Sequence, residues 1–262
     1  MSKVFVFDFN ICNGCHNCQV ACKDEFCEQP WLPYSEAQPM TGQFWMKLDE
    51  RVRGQVPFVK ISYRPTMCNH CENCVALTDE GAAYRREDGL VILDPAKTKG
   101  RRDLVEACPV GAIYYNDELD IPQKCTGCAH LLDNGWDVPR CVDACPTEAL
   151  RYVDESEVDL SKAGQLSAVE GMGSKVYFLN MPKRFIAGTV ANVSEAEVEI
   201  GTPVELVDES GVVVSTQVTD DFGDFKFDQI EKGRYTVKAV GEVREADVTE
   251  KDLYIGVFDT SN

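Results

Sequence analysis

The chain of 262 residues is long enough for one large domain or two small ones. Its 44% hydrophobic content is ordinary for a soluble globular chain, and no apolar run approaches the roughly 18–20 residues of a membrane span. With 26 Lys and Arg against 44 Asp and Glu, the net charge of −18 argues against nucleic acid and anionic membranes as partners, and leaves solubility or docking to a basic surface.

The N-terminus, Met1 to Phe9, alternates apolar and polar residues and then meets a cysteine. It has neither the apolar stretch nor the small-residue cleavage site of an export signal, so the expectation is a cytoplasmic chain, or one exported on a partner's signal. Thirteen cysteines are the outlying number. Disulfides, zinc and iron–sulfur clusters compete for them. Disulfide frameworks belong to short secreted chains with scattered cysteines, whereas these come in tight runs.

The first run is Cys12, Cys15, Cys18 and Cys22, with gaps of two, two and three residues. Three thiolates at that spacing wrap one corner of a four-iron cube, and Gly14 permits the tight turn. The fourth, expected at the start of a helix, points to a different cluster, as in two-cluster ferredoxins. Zinc would need two pairs of ligands. The middle run, Cys68, Cys71 and Cys74, has no fourth cysteine soon after. Tyr84 to Arg102 reads as a hairpin or strand where another cluster loop could stand. Cys108-Pro109 follows alone. Ala107-Cys-Pro-Val-Gly-Ala112 matches Ala144-Cys-Pro-Thr-Glu-Ala149, so both read as the start of the helix after a cluster loop.

The last run is Cys125, Cys128, Cys141 and Cys145, with Ala129 to Arg140 expected as a loop reaching away. Alone it could be a four-cysteine zinc site. Beside the first run the reciprocal reading is better: Cys12, Cys15 and Cys18 take Cys145, and Cys125, Cys128 and Cys141 take Cys22. Cys108 then completes Cys68, Cys71 and Cys74, giving three [4Fe–4S] clusters. Cys27 is left over as a free thiol. His16, His70 and His130 lie near ligand cysteines, but twelve cysteines already fill the positions, so they are expected beside the clusters or at the surface. A four-cluster arrangement would need a last cysteine in the second group, where Val75 to Gly81 stands, and a loop in the third. Both losses empty one and the same cluster site.

After Cys145, Asp154 to Ser174 reads as a surface helix and loop, and Lys175 to Asn180 as a closing strand. Strands are then expected at 185–193, 203–208, 212–219, 224–227, 234–240 and 253–258, separated by turns rich in Gly, Asp and Ser. This is an all-β sandwich or barrel by pattern. The stretch Thr219 to Val237 resembles transthyretin-like, Ig-like and carboxypeptidase-regulatory modules, with Phe225, Phe227, Ile230, Tyr235 and Val237 facing the core. Asp220, Asp221 and Asp224 read as solvated turn carboxylates ahead of a calcium site. The fold class is thus α+β, with a ferredoxin-like cluster domain over 1–181 and a β-domain over 182–262.

Three segments carry a family resemblance: Ile61 to Asn73, Tyr84 to Gly89, and Gln123 to Asp133. With the three-cluster pattern they resemble the iron–sulfur small subunits of molybdenum or tungsten bis-pterin oxidoreductases of the dimethyl sulfoxide reductase type, nearest to those serving transhydroxylases and catechol dehydroxylases. One departure is the gap of two between Cys71 and Cys74, where relatives carry an insertion with proline. The resemblance implies a large catalytic molybdopterin subunit as partner, an external electron donor, and transhydroxylation or reductive dehydroxylation of polyhydroxylated aromatics, with no catalytic residue in this chain. Two other readings stand beside it: service to a reductase of sulfur compounds or formate, and a structural subunit whose clusters do not change oxidation state.

Overall fold

The structure, a computed structural model, describes residues 2–79 and 81–261, and these form two compact units. The first holds 1–50 and 63–181, the second 51–62 and 182–262. The boundary at residue 181 is where the sequence pattern changes. The segment 51–62 grouping with the C-terminal unit is not anticipated by that pattern.

In the first unit, β1 (Lys3–Asp8) buries four successive residues because it lies inside a sheet of order β8-β1-β10-β9. It runs parallel to β10 (Val176–Leu179) and antiparallel to β8 (Leu150–Asp154), with Phe5 opposite both Val176 and Tyr152. The short β9 (Ala163–Gly164) closes the edge. Helix α1 (Asn17–Phe26) follows the first cysteine loop. Three hairpins come next: β2 (Met46–Gln55) with β3 (Phe58–Met67), β4 (Ala83–Arg85) with β5 (Val91–Leu93), and β6 (Ile113–Asn116) with β7 (Ile121–Lys124). Single helical turns hold the chain between them: α2 (Asn73–Ala76), α3 (Asp103–Glu106), α4 (Ala129–Asp133) and α5 (Arg140–Asp143). Phe5, Phe7, Phe26, Trp45, Leu90 and Phe178 pack with the cysteines in one core.

Several expectations are corrected here. Ala129 to Arg140 is not a loop throughout: its first half is α4, with Ala129 and His130 buried. Cys108 and Cys145 follow α3 and α5 rather than starting helices, because Pro109 and Pro146 cannot extend a helix. Asp154 to Ser174 forms two 3-10 turns and β9, not an α-helix, since its glycines and lack of apolar periodicity favour turns.

An ionic knot ties the loops of this unit. Arg86 holds Asp133 through two bonds of 2.7 and 3.0 Å, and Tyr34 donates its hydroxyl to the same carboxylate. Chiefly through Arg86, then Tyr34, the Asp133 carboxyl is held down to about 2. A carboxyl depressed in the folded state stabilises fully above its unfolded value of about 3.9 and loses that only as pH falls toward about 2. Asp133→Asn is therefore expected to cost up to about 1 kcal/mol, discounted for its exposure, and by the same amount from pH 8 down to 5. Urea unfolding at several pH values checks this, and a cost that fades between pH 7 and 5 contradicts it.

The second unit is a pair of sheets. Strand β11 (Arg184–Asn192) pairs antiparallel with β12 (Glu197–Val198) and β15 (Asp224–Ile230), and parallel with β18 (Leu253–Asp259). The other sheet has the order β14 (Val213–Val218), β13 (Pro203–Asp208), β16 (Arg234–Ala239), β17 (Glu242–Asp247). Phe225, Phe227, Val237 and Phe258 are buried between them, with Ile230 and Tyr235 packed at the margin. The tip of the β2–β3 hairpin belongs to this unit through Asp252, which is almost fully buried. It accepts the Phe185 backbone N–H at 2.9 Å and Arg53 Nη1 at 3.2 Å. Asp252→Asn keeps one acceptor but loses the charge opposite Arg53. The expected cost is about 2 kcal/mol, the size of a charge-assisted hydrogen bond. Faster hydrogen exchange at the Phe185 amide reports it. No helix among the described residues is long and apolar enough to cross a membrane.

Candidate metal centres

The first loop reaches α1 through two left-handed residues, Gly14 (φ 72°) and His16 (φ 59°). Asn13 accepts the Cys15 backbone N–H at 3.2 Å and tightens the turn. A Cβ on Gly14 would sit 2.2–2.5 Å from ring atoms of Tyr63, so this loop is pressed against β3 and only glycine fits. Cys18 and Cys22 both ride on α1, one turn apart. The helix thus starts before the third cysteine of the run, not at the fourth as expected. Burial pushes the Cys18 thiol up to about 12, and the charge of Cys145 adds most to that among its neighbours, followed by Cys12 and Cys15. Burial raises Cys12 as well, with Cys145 and Cys15 adding to it. The structure therefore brings Cys12, Cys15, Cys18 and Cys145 into one group, called A here.

Cys22 is not in that group. Burial raises its thiol well above the ordinary value, and the next contributors are Cys125 and Cys128. Burial also raises Cys141, with Cys128, Cys22 and Cys125 behind it. These four form group B. Gly127 (φ 66°) and Cys128 (φ 52°) turn its loop, and the Gly127 N–H donates to Cys125 Sγ at 3.3 Å. Group C is Cys68, Cys71, Cys74 and Cys108. Burial lifts Cys74 to about 12, against the lowering effect of Lys124 and with Cys68, Cys108 and Cys71 raising it. Here the His70 N–H donates to Cys68 Sγ at 3.3 Å, two residues on as in group B, so the two loops share one turn. Ala112 N–H donates to Cys108 Sγ at 3.3 Å and Leu150 N–H to Cys145 Sγ at 3.4 Å.

The groups lie in an order that the run order does not give. Cys18 of A acts on Cys22 and Cys141 of B, and the strongest charge effect on Cys125 of B comes from Cys68 of C. B is between A and C. Cys15 is exposed, and Cys12 and Cys145 half-buried, so A is open; all four cysteines of B are buried. Among the described residues no three His, Cys, Asp or Glu side chains converge as a single ion would need. A single zinc draws its sulfurs to about 2.3 Å from one point, whereas a four-iron cube keeps its thiolates farther apart. Buried thiols facing one another, with backbone N–H groups already aimed at their sulfurs, suit such a cube, because each N–H bond favours the thiolate form.

Of the remaining predicted residues, Cys27 is half-buried, bridges to Gln38, and joins no group. His16 is half-buried in the A turn. His130 is buried, stacks on Trp31 with centroids 4.3 Å apart, and shares a 2.9 Å hydrogen bond with Glu25. His70 is fully buried and accepts the Val91 N–H on Nδ1 at 3.1 Å. Asp220 caps its own turn, accepting the N–H groups of Phe222 and Asp224 at 2.9 and 3.0 Å, and Asp224 accepts the Thr189 hydroxyl at 2.6 Å. Those carboxylates are engaged as turn residues.

Three residues escaped the sequence reading. A constant interval links Cys18 to Cys22 and Cys141 to Cys145, and the same interval places Thr78 after Cys74 and Leu104 before Cys108. Thr78 donates its hydroxyl to the Cys74 carbonyl at 2.9 Å and accepts the Ala83 N–H at 3.1 Å. Leu104 is buried with Ala83, Leu93 and Ile113 beside Cys74 and Cys108. Where the repeat calls for two further cysteines, a hydroxyl and an apolar plug stand instead. In the stretch 75–81, residue 80 lies outside the described residues. The third is Lys124, nearly fully buried, where burial lowering its pKa is outweighed by Cys68, Cys74 and Cys125, so the ammonium is favoured.

Residues 59–155 match the family model of the 4Fe-4S dicluster domain. The chain is 37% identical over 247 residues to the pyrogallol hydroxytransferase small subunit of Pelobacter acidigallici, covering 89% of this chain and 88% of that one. It is 37% identical over 110 residues to the selenate reductase subunit beta of Thauera selenatis, covering 41% of this chain and 33% of the relative. It is 35% identical over 141 residues to the B subunit of the anaerobic dimethyl sulfoxide reductase of Escherichia coli K12, covering 53% of this chain and 67% of the relative. The chain belongs to the family of iron–sulfur electron-transfer subunits of molybdopterin oxidoreductases of the dimethyl sulfoxide reductase type.

Proposed function

We propose that groups A, B and C each hold one [4Fe–4S] cluster through their four cysteines, in a ferredoxin-type repeat, and that the chain serves a molybdenum or tungsten bis-pterin subunit acting on polyhydroxylated aromatics. The observation that carries the cluster count is the sorting of twelve thiols, all but Cys15 buried or half-buried, into three fours, with Cys22 and Cys145 exchanged between the first and last runs. When bound, such clusters take up and release single electrons at potentials set by burial, charge and hydrogen bonds to sulfur. The chain's own residues fix the order A–B–C, close B from solvent, and leave A open at Cys15 and C partly open at Cys108. A and C are then the two ends at which electrons enter and leave, and the acidic surface suits a basic partner at either end.

The aromatic substrate class rests on the extent of one likeness. The match to the pyrogallol hydroxytransferase small subunit spans 247 residues and so runs into the C-terminal unit, whereas the two reductase subunits match 41% and 53% of this chain. In a transhydroxylase no net electrons leave, and the cysteine groups would then set the redox poise of the partner's metal; in a dehydroxylase they would supply electrons from outside. The test is anaerobic purification of the tagged chain from its own host. About one molybdenum or tungsten per complex, with activity on a trihydroxybenzene or a catechol, is expected. A complex with the metal that reduces sulfur oxyanions or oxidises formate and ignores phenols would replace the aromatic reading with a second reductase.

A further inference from the structure

The hairpin of β4 and β5, standing where a further cluster loop would fall, has an unexpected position at the junction of B and C. The backbone of one residue in it is used twice. The Val91 N–H donates to His70 Nδ1 at 3.1 Å, and the Val91 carbonyl accepts from Lys124 Nζ. Lys124 Nζ also donates to the Cys125 carbonyl at 3.1 Å, and the Cys68 and Cys74 thiols of C are its strongest charge partners. Two backbone carbonyls around one nitrogen suit an ammonium, which has only hydrogens to give. The residue is 3% exposed, so this charge is little screened by water. His70 accepts at Nδ1, which places its proton on Nε2, and that atom is buried with no acceptor among the described residues. A buried donor and a buried cation therefore sit together at one junction, one on the C loop itself and the other immediately before the B loop.

Resting on the three-cluster reading above, we infer that Lys124 is a positioning residue that sets reduction potential: its ammonium, fixed by Val91, makes group C, and to a lesser degree group B, easier to reduce than the same cysteines would be without it. The sign follows from charge. Each electron that arrives, passed on from the neighbouring group, adds one negative charge and no proton to the site. A fixed cation beside Cys68 stabilises that added charge, and A, which Lys124 does not reach, is spared. His70 supports the same end with a neutral donor. The hairpin thus does more than plug the space of a lost cluster: through Val91 it holds two polar groups at the junction of B and C.

The test is a redox titration followed by electron paramagnetic resonance on the anaerobically purified complex, with iron measured on the same samples. Group C is assigned by the step that changes in a Cys108→Ser chain. Lys124→Met and Lys124→Gln are expected to make group C about tenfold harder to reduce at a given potential, a downward shift of about 59 mV for one electron, to move B less, and to leave A in place. Lys124→Arg is expected to restore the wild-type order. A neutral variant with full iron and unmoved potentials would overturn the inference alone. If both neutral variants shed iron, an Arg variant with full iron and wild-type potentials supports the role of the charge, and one that sheds iron too overturns it. Wild-type complex with far fewer than about twelve irons would instead overturn the three-cluster reading beneath it.

Discussion

Cys145→Ala is expected to lower the iron content from about twelve to about eight per chain, and Cys27→Ala to leave it unchanged. Cys145 stands with Cys12 and Cys18 although it comes from the far end of the cluster unit, and its sulfur already accepts the Leu150 N–H. Removing it takes the one cysteine of group A that does not come from the first loop. That loop would then be tied to the turn after α5 only by packing. Metal–thiolate bonds that close so long a loop contribute folding free energy as well as holding the metal. Thermal unfolding should therefore fall together with iron. Cys22→Ala is expected to do the same to group B, because Cys22 faces Cys125 and Cys128 from α1. Iron analysis and a melting curve on the three variants decide the matter. Full iron in Cys145→Ala, or iron loss in Cys27→Ala, contradicts the grouping.

Gly14→Ala is expected to destabilise the A loop by about 3 kcal/mol or more and to release the iron of that group alone. Two effects add. The backbone at φ 72° disfavours any Cβ, by about 1 kcal/mol. The new methyl would also overlap the Tyr63 ring at 2.2 Å, and that ring is packed against the core. The double variant Gly14→Ala with Tyr63→Ala removes the overlap but not the backbone cost, so it should recover part of the loss. Gly127 has the same dependence on a neighbour, since a Cβ there would meet Leu90 at 2.6 Å. A Gly14→Ala chain with full iron and an unchanged melting temperature would show that the loop tolerates movement away from Tyr63.

What was legible in the chain was what short-range chemistry dictates. Cysteine spacing carries the ligand geometry of a loop directly, and the repeat of Ala-Cys-Pro carries the pairing of Cys108. The strands of the second unit were visible where one face is buried, as in β13 and β15, whose apolar residues alternate. β17 was missed because its one buried residue, Ala246, is small and stands among Glu242, Arg244, Glu245 and Asp247. The β2–β3 hairpin was missed for a related reason: most of its outer half is solvent-exposed, so period two is not imposed on the sequence. Lys124 lies in a strand buried at all four positions, and nothing local distinguishes a buried lysine from an exposed one. Of its two carbonyl partners only that of Cys125 is local; that of Val91, and the C-group thiols, come from other parts of the chain. Thr78 and Leu104 could have been found by carrying the four-residue interval into the groups that lack cysteines. The order A–B–C could not, because it depends on which loops the core brings together.

The most direct test of the three-cluster arrangement is iron and acid-labile sulfide per chain, with reductive titration, on complex kept free of oxygen. About twelve irons, matching sulfide, and three one-electron reductions are predicted. Zinc in place of iron, or about eight irons with two reductions in an intact wild-type complex, would contradict that arrangement.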